Sequence, residues 1–217
     1  MSHGRRAQGF EENAIAVLLG LMVLITFANV VMRYVFNSSM IWGLEVTLIL
    51  FAWMVIFGIS YAVRVTAHLG VDALTSAMGP TGRKTMALIA AAISLAYALL
   101  ILKGAWDYWA PFAGLQPTTG HWFPTGFDAS ARDRAFYTTD QVPMLGFLRF
   151  LEDLINYGEA YDKLPRVIPY AILPIGLALF LIRLVQATWN IWTGKTDSLI
   201  VSHEAEDDIA ELQAKES

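Results

Sequence analysis

The chain is expected to fold as an all-α integral membrane protein with four transmembrane helices, a short cytoplasmic interfacial helix, and a long helical and aromatic loop between helices 3 and 4. Three observations predict this class. The 217 residues are 56% hydrophobic and 16% charged, with a mean hydropathy of +0.48, whereas soluble domains carry about 25% charged residues. Four apolar runs approach the ~20 residues needed to cross a bilayer core. A soluble domain of this length has no room to bury four such runs on every side.

The spans are placed at about 14–33, 42–64, 85–103 and 167–193. The first, "AIAVLLGLMVLITFANVVM", is longer than a signal-peptide core and lacks a small-x-small cleavage site after it, so it reads as a retained helix. The second is "LEVTLILFAWMVIFGISYAV" and the third "TMALIAAAISLAYALLIL". The fourth, from Val167, carries Pro169 and Pro174, which point to a kink. Together they form a domain over 1–198, followed by an acidic, solvated tail over 199–217.

Lys and Arg near the helix ends set the orientation. Arg5, Arg6, Arg64, Arg83, Lys84 and Lys195 fall on one side and favour both termini in the cytoplasm. On that side Val71, Leu74 and Met78 recur at helical spacing, and Gly79-Pro80 ends the pattern. This predicts the short helix along the interface. Residues 104–166 then face outward. They include Trp106, Trp109, Trp122 and Phe123, residue types that sit at headgroup level. Further on, Leu145, Leu148, Leu151 and Ile155 share a helical face. The loop reads as a cap on the helices, a docking surface for another protein, or both.

Catalytic and cofactor chemistry finds little footing. The chain has no cysteine, which excludes disulfides, thiolate metal sites and a cysteine nucleophile. Its histidines, His3, His68, His121 and His203, all lie outside the four runs, so bis-histidine haem is not expected. There is no HExxH, no Gly-rich phosphate loop and no G-x-S-x-G. No aspartate falls within a span. The polar inventory is too thin for an autonomous carrier, which needs intramembrane polar groups and repeats. No enzyme activity, cofactor, metal or nucleic-acid partner is expected.

Helices 1 and 2 carry what polarity there is. At 100° per residue, Met22, Thr26, Asn29 and Arg33 fall within about 60° of helix 1. Trp42, Glu45, Trp53, Ser60 and Arg64 fall within about 100° of helix 2 by the same geometry. Polar stripes in membrane helices face protein. Arg33 and Glu45 flank a short hairpin, so they are expected to meet each other or one shared partner, and the two stripes to face each other or another subunit. Arg64, His68 and Asp72 follow at intervals of four and are expected to pin the cytoplasmic end of helix 2.

The same stretch carries a resemblance. Arg33, Tyr34, Phe36 and Asn37 at the turn are followed by Trp42, Glu45, Trp53, Gly58, Arg64, His68 and Asp72. In order and spacing this resembles the small membrane subunit of tripartite ATP-independent periplasmic (TRAP) transporters, the DctQ family. Two departures stand out: Leu44 replaces the first of two adjacent glutamates common in the family, and the loop after helix 3 is longer than in the smallest members. The resemblance implies a non-catalytic subunit that braces the scaffold of a large membrane subunit, here a separate chain. It implies that the large subunit holds the substrate and the coupling ion, and that a periplasmic binding protein delivers small carboxylates, C4-dicarboxylates being a common case. Membrane lipids complete the expected partners, in a bacterial inner membrane. The alternative is an anchor or assembly subunit of another inner-membrane complex.

Overall fold

The computed structural model describes residues 3–64, 80–118, 120–124, 126 and 137–194. Four long helical segments in it meet the length and hydropathy required of a membrane span: Phe10–Val35, Ile41–Arg64, Lys84–Ala113 and Val167–Trp192. The expected interfacial helix near Val71, Leu74 and Met78 lies outside the described residues, as do His68, Asp72 and the tail over 199–217.

Helix α1 (His3–Val35) begins well before its apolar run. A tight turn links it to α2 (Ile41–Arg64), with Asn37 in the left-handed region at φ 50°. Asparagine tolerates that conformation better than other residues with a side chain. The amides of Phe36 and Ser38 both donate to the Met32 carbonyl, closing the end of α1. Helix α3 (Pro80–Trp109) runs into a 3₁₀ turn, Ala110–Ala113, that Gly114 ends at φ 69°. The last span comes in two pieces, α5 (Val167–Tyr170) and α6 (Ile172–Trp192). Pro174 explains the break: it has no N–H to offer the Tyr170 carbonyl four residues back.

The four long helices pack as a row in the order α1, α2, α6, α3. α3 seats against α6 through small residues, with Ala87, Ala91, Ala98 and Ala105 buried at intervals that keep them on one face. α2 reaches α6 at Val63, which packs with Ala98 and Leu184. The apolar window of α6 is the most buried, at 39%, and that of α1 the least, at 6%. Most of α1 therefore presents Val17, Leu24 and Phe27 outward.

The long loop, expected to be helical and aromatic, also holds strands. It contains a two-stranded antiparallel sheet, β1 (Thr138–Pro143) with β2 (Lys163–Pro165), whose register shifts between Thr138 and Pro143. β1 lies over the N-terminal end of α2. Between the strands sit a 3₁₀ turn, Gly146–Leu148, and the short α4 (Phe150–Ile155). Of the leucines expected to share one helical face, Leu151 is buried, Leu148 is half-buried, and Leu145 is exposed. The opposite side of this stretch leaves Phe147, Phe150 and Leu154 exposed. Burial raises the Tyr161 phenol to about 12, with the negative charge of Glu152 adding to the effect. The Tyr161 amide donates to Glu152 Oε1 at 3.1 Å.

Candidate functional site

The polar residues of α1 and α2 resolve into three ties, one at each end of α2 and one midway along it. At the sheet end, Glu45 projects from the second turn of α2, where a negative charge also suits the helix dipole. Its Oε1 accepts from the Asp140 amide at 2.9 Å, and its Oε2 from the Gln141 amide at 2.7 Å. One carboxylate thus takes two successive backbone donors of β1, a charge-assisted arrangement stronger than a neutral pair. Arg166 completes the attachment, donating from Nε to the Thr138 carbonyl at 2.8 Å and from Nη2 to Asp140 Oδ1 at 3.3 Å. Lys163 Nζ donates to the Asp140 carbonyl.

Of the two expected arrangements, Arg33 meeting Glu45 or both meeting one shared partner, the first is not what this chain forms. Arg33 is exposed and forms no ion pair among the described residues. The physical reason is competition: β1 brings two amide donors to Glu45 from 95 and 96 residues away. Asn29 closes the hairpin instead, its Oδ1 accepting from the Met40 amide at 3.1 Å. Thr26 donates back to the Met22 carbonyl and is exposed. The α1 stripe therefore does not face the α2 stripe within this chain.

In the middle, the α2 stripe faces α6. Trp53 donates from Nε1 to the Pro169 carbonyl at 2.9 Å, and Trp109 of α3 donates likewise to the Val167 carbonyl at 2.9 Å. Two indoles thus serve carbonyls of the segment where the last span breaks, and helix breaks inside a membrane require such partners. Two turns further along, Ser60 is fully buried, and its one O–H is shared between the Ile56 and Gly176 carbonyls, each at 3.4 Å. Gly176 is required there: a Cβ on it would lie 2.0 Å from Ile56 Cγ2. Trp42 is half-buried near the sheet end.

At the opposite end stands a cluster of which residue patterns picked out Arg64 but not its partners. Glu11 has no exposed surface. Its Oε2 pairs with Arg64 Nη1 and its Oε1 with Arg183 Nε, both at 2.8 Å. Arg64 also reaches Glu12 at 2.8 Å, and its guanidinium lies 4.9 Å from the Tyr61 ring centre. Arg183 continues to Gln186 Oε1 at 2.8 Å. One carboxylate so joins α1, α2 and α6. Lys84 of α3 donates to the Trp192 carbonyl at the same end. A signal for this cluster exists in the sequence. An acidic pair, Glu11-Glu12, precedes the first apolar run, and Arg183 interrupts the last. Among the described residues, no group of three or more His, Cys, Asp or Glu side chains could hold a metal ion. The three ties use their charged and polar groups on one another, an arrangement suited to fixing helices.

The family model for tripartite ATP-independent periplasmic transporters, DctQ component, matches residues 22–127. A protein of Vibrio cholerae serotype O1, the C4-dicarboxylate TRAP transporter small permease protein DctQ, is 45% identical over 212 residues, covering 98% of this chain and 84% of that protein. A protein of the same name from Pseudomonas aeruginosa is 30% identical, covering 45% of this chain and 60% of its own length.

Proposed function

The chain belongs to the DctQ family of TRAP transporter small permease subunits, which are transport components and not enzymes, and from that premise we propose that it serves ion-coupled uptake of C4-dicarboxylates. In this reading it braces the scaffold of a separate large membrane subunit, which binds substrate and coupling ion, while a periplasmic protein delivers the substrate. Both termini lie in the cytoplasm of a bacterial cell, and the β1/β2 sheet faces the periplasm. The observation that carries the proposal is the 45% identity, sustained over nearly the whole chain, to a relative named for C4-dicarboxylates.

The geometry supports bracing. The buried charges of Glu11, Arg64 and Arg183 are spent on one another. Glu45 is spent on β1 and Trp53 on the Pro169 carbonyl. These contacts hold helices in place and leave little polarity for a substrate route. The weakly buried α1 offers an apolar face, with Phe27 66% exposed, that a neighbouring helix can cover. Arg33, at the end of that helix, is available to the same neighbour.

Uptake of a labelled C4-dicarboxylate into proteoliposomes tests the proposal. The vesicles hold the large subunit with or without this chain, and the binding protein is added outside. Uptake is expected only when all three are present. Full uptake without this chain would refute the bracing role. Uptake of other carboxylates alone would refute the substrate assignment and leave the subunit role standing.

A further inference from the structure

A cleft of about 690 Å³ opens between α3 and α6 at the sheet end. Its origin is the choice of small residues where the last span enters α6: Ala171, just ahead of it, and Pro174 and Ala178 within it recur at intervals of three and four and so line one face. Leu99, Leu102 and Trp106 of α3 form the facing wall. Trp122 and Phe123, 76% and 79% exposed, roof the end nearest the loop. The mouth borders Leu99 and Ile175, each more than half exposed on a membrane-spanning segment. The cleft is thus continuous with the surface that meets bilayer hydrocarbon.

Its polarity is confined to one end. Lys103 and Thr118 line the cleft, and both are tied to Asp107. The Lys103 ammonium donates to Asp107 Oδ2 at 2.8 Å and to the Thr118 carbonyl at 3.2 Å. An ammonium has three N–H donors, so one remains beyond these two. Water gains little from such walls, because it needs two to four polar partners. The volume is also several times the roughly 150 Å³ of cavities that stay dry and empty.

We propose that this cleft binds one phospholipid of the adjoining leaflet, with an acyl chain between α3 and α6 and the phosphodiester at Lys103. The chemistry matches at both ends. The walls suit hydrocarbon, the remaining ammonium donor suits a phosphate oxygen, and the indoles of Trp106 and Trp122 mark headgroup depth. The bound chain fills the space that the small α6 residues leave and holds the roof against the helices.

The test uses the full-length chain, purified from membranes in mild detergent with whatever subunits accompany it, and then exposed to dioleoyl phosphatidylglycerol. Native mass spectrometry counts the retained lipid. The wild type is expected to keep one phospholipid per chain. Ala178→Phe, which fills the cleft, is expected to lower occupancy about tenfold, a difference near 1.4 kcal/mol. Lys103→Gln is expected to lower it by a smaller factor. Ile182→Phe, on the exposed face of α6, should retain lipid as the wild type does. Circular dichroism confirms that each variant keeps its helix content. No retained lipid in the wild type, or equal retention in Ala178→Phe, would overturn the proposal. Since the chain has no cysteine of its own, Ala178→Cys also allows a unique label. Cross-linking from it to another protein chain in intact membranes would assign the cleft to a partner helix and overturn the lipid.

Discussion

Replacing Gly176 by valine probes the contact that seats α2 on α6. A Cβ at this position would stand 2.0 Å from Ile56 Cγ2 and 3.3 Å from Ile56 Cβ. Ordinary carbon contacts sit at about 3.5–4.0 Å, so the pair is short by roughly 1.5 Å. Ile56 is β-branched and has one strongly preferred rotamer in a helix. It cannot swing aside, and the two helices must part. Overpacking of this kind costs about 1–3 kcal/mol. Parting also weakens the Ser60 bond to the Gly176 carbonyl, already 3.4 Å long. We expect a loss near 2 kcal/mol, which for a chain of this length lowers the thermal midpoint by about 4–8 °C. The assay is loss of ellipticity on heating in mild detergent at one fixed scan rate, since membrane proteins often unfold irreversibly. Ile56→Ala in the same molecule removes the obstructing methyl and should recover at least about 1 kcal/mol of the loss, a coupling that only touching residues show. Were the contact looser, valine would be neutral or stabilising, because glycine is the poorer helix former. An unchanged or raised midpoint, or losses that simply add, would refute the close approach.

Three further predictions follow from the ties. Glu11→Leu takes the buried carboxylate from Arg183 and leaves Arg64 with Glu12, and should cost about 3–5 kcal/mol, while adding Arg183→Leu should cost less than the two separate losses combined; additive losses in hydrogen exchange of α1 would mean the charges act independently. Glu45→Leu should speed exchange of the Asp140 and Gln141 amides by roughly thirtyfold, the equivalent of about 2 kcal/mol for a charge-assisted bond, whereas Arg33→Leu should leave both amides as they were. For Tyr161, the folded pKa of about 12 lies above the ordinary value of 10. The folded state holds the proton longer, so this contribution to stability is complete below pH 10 and is lost as pH rises from 10 to 12. Tyr161→Phe should fall less steeply than wild type across that window, and parallel curves would contradict the assignment.

The helices were legible in the sequence because each span is a local pattern. An apolar run of the right length states its own conformation, and Pro174 states its own break. Asn29, Glu45, Trp53, Ser60 and Arg64 were equally legible as residues that a lipid-facing surface would not carry. Their partners were not. Glu45 binds amides of β1, Trp53 a carbonyl of α5, and Arg64 a carboxylate ahead of the first apolar run. None of these partners is marked by periodicity, and backbone groups carry no sequence signature at all. The two strands were missed for a related reason. β1 reads Thr-Thr-Asp-Gln-Val-Pro and β2 Lys-Leu-Pro, each too short and too polar to alternate. The side chains of Arg166, Lys163 and Glu45 hold them where composition alone gives no strand.

The row of helices has a mechanical consequence. A closed bundle shares load around a ring, whereas a row passes it from neighbour to neighbour, as stacked repeats do. Tension applied at the N-terminus would meet the Glu11 clasp first, and once that opened α1 could peel from α2 with little resistance from α3. Tension on α3 would instead be borne by its alanine seam with α6. Under load the chain should therefore come apart in separate steps, with α1 as the first panel to lift and the α3–α6 pair as the last to yield.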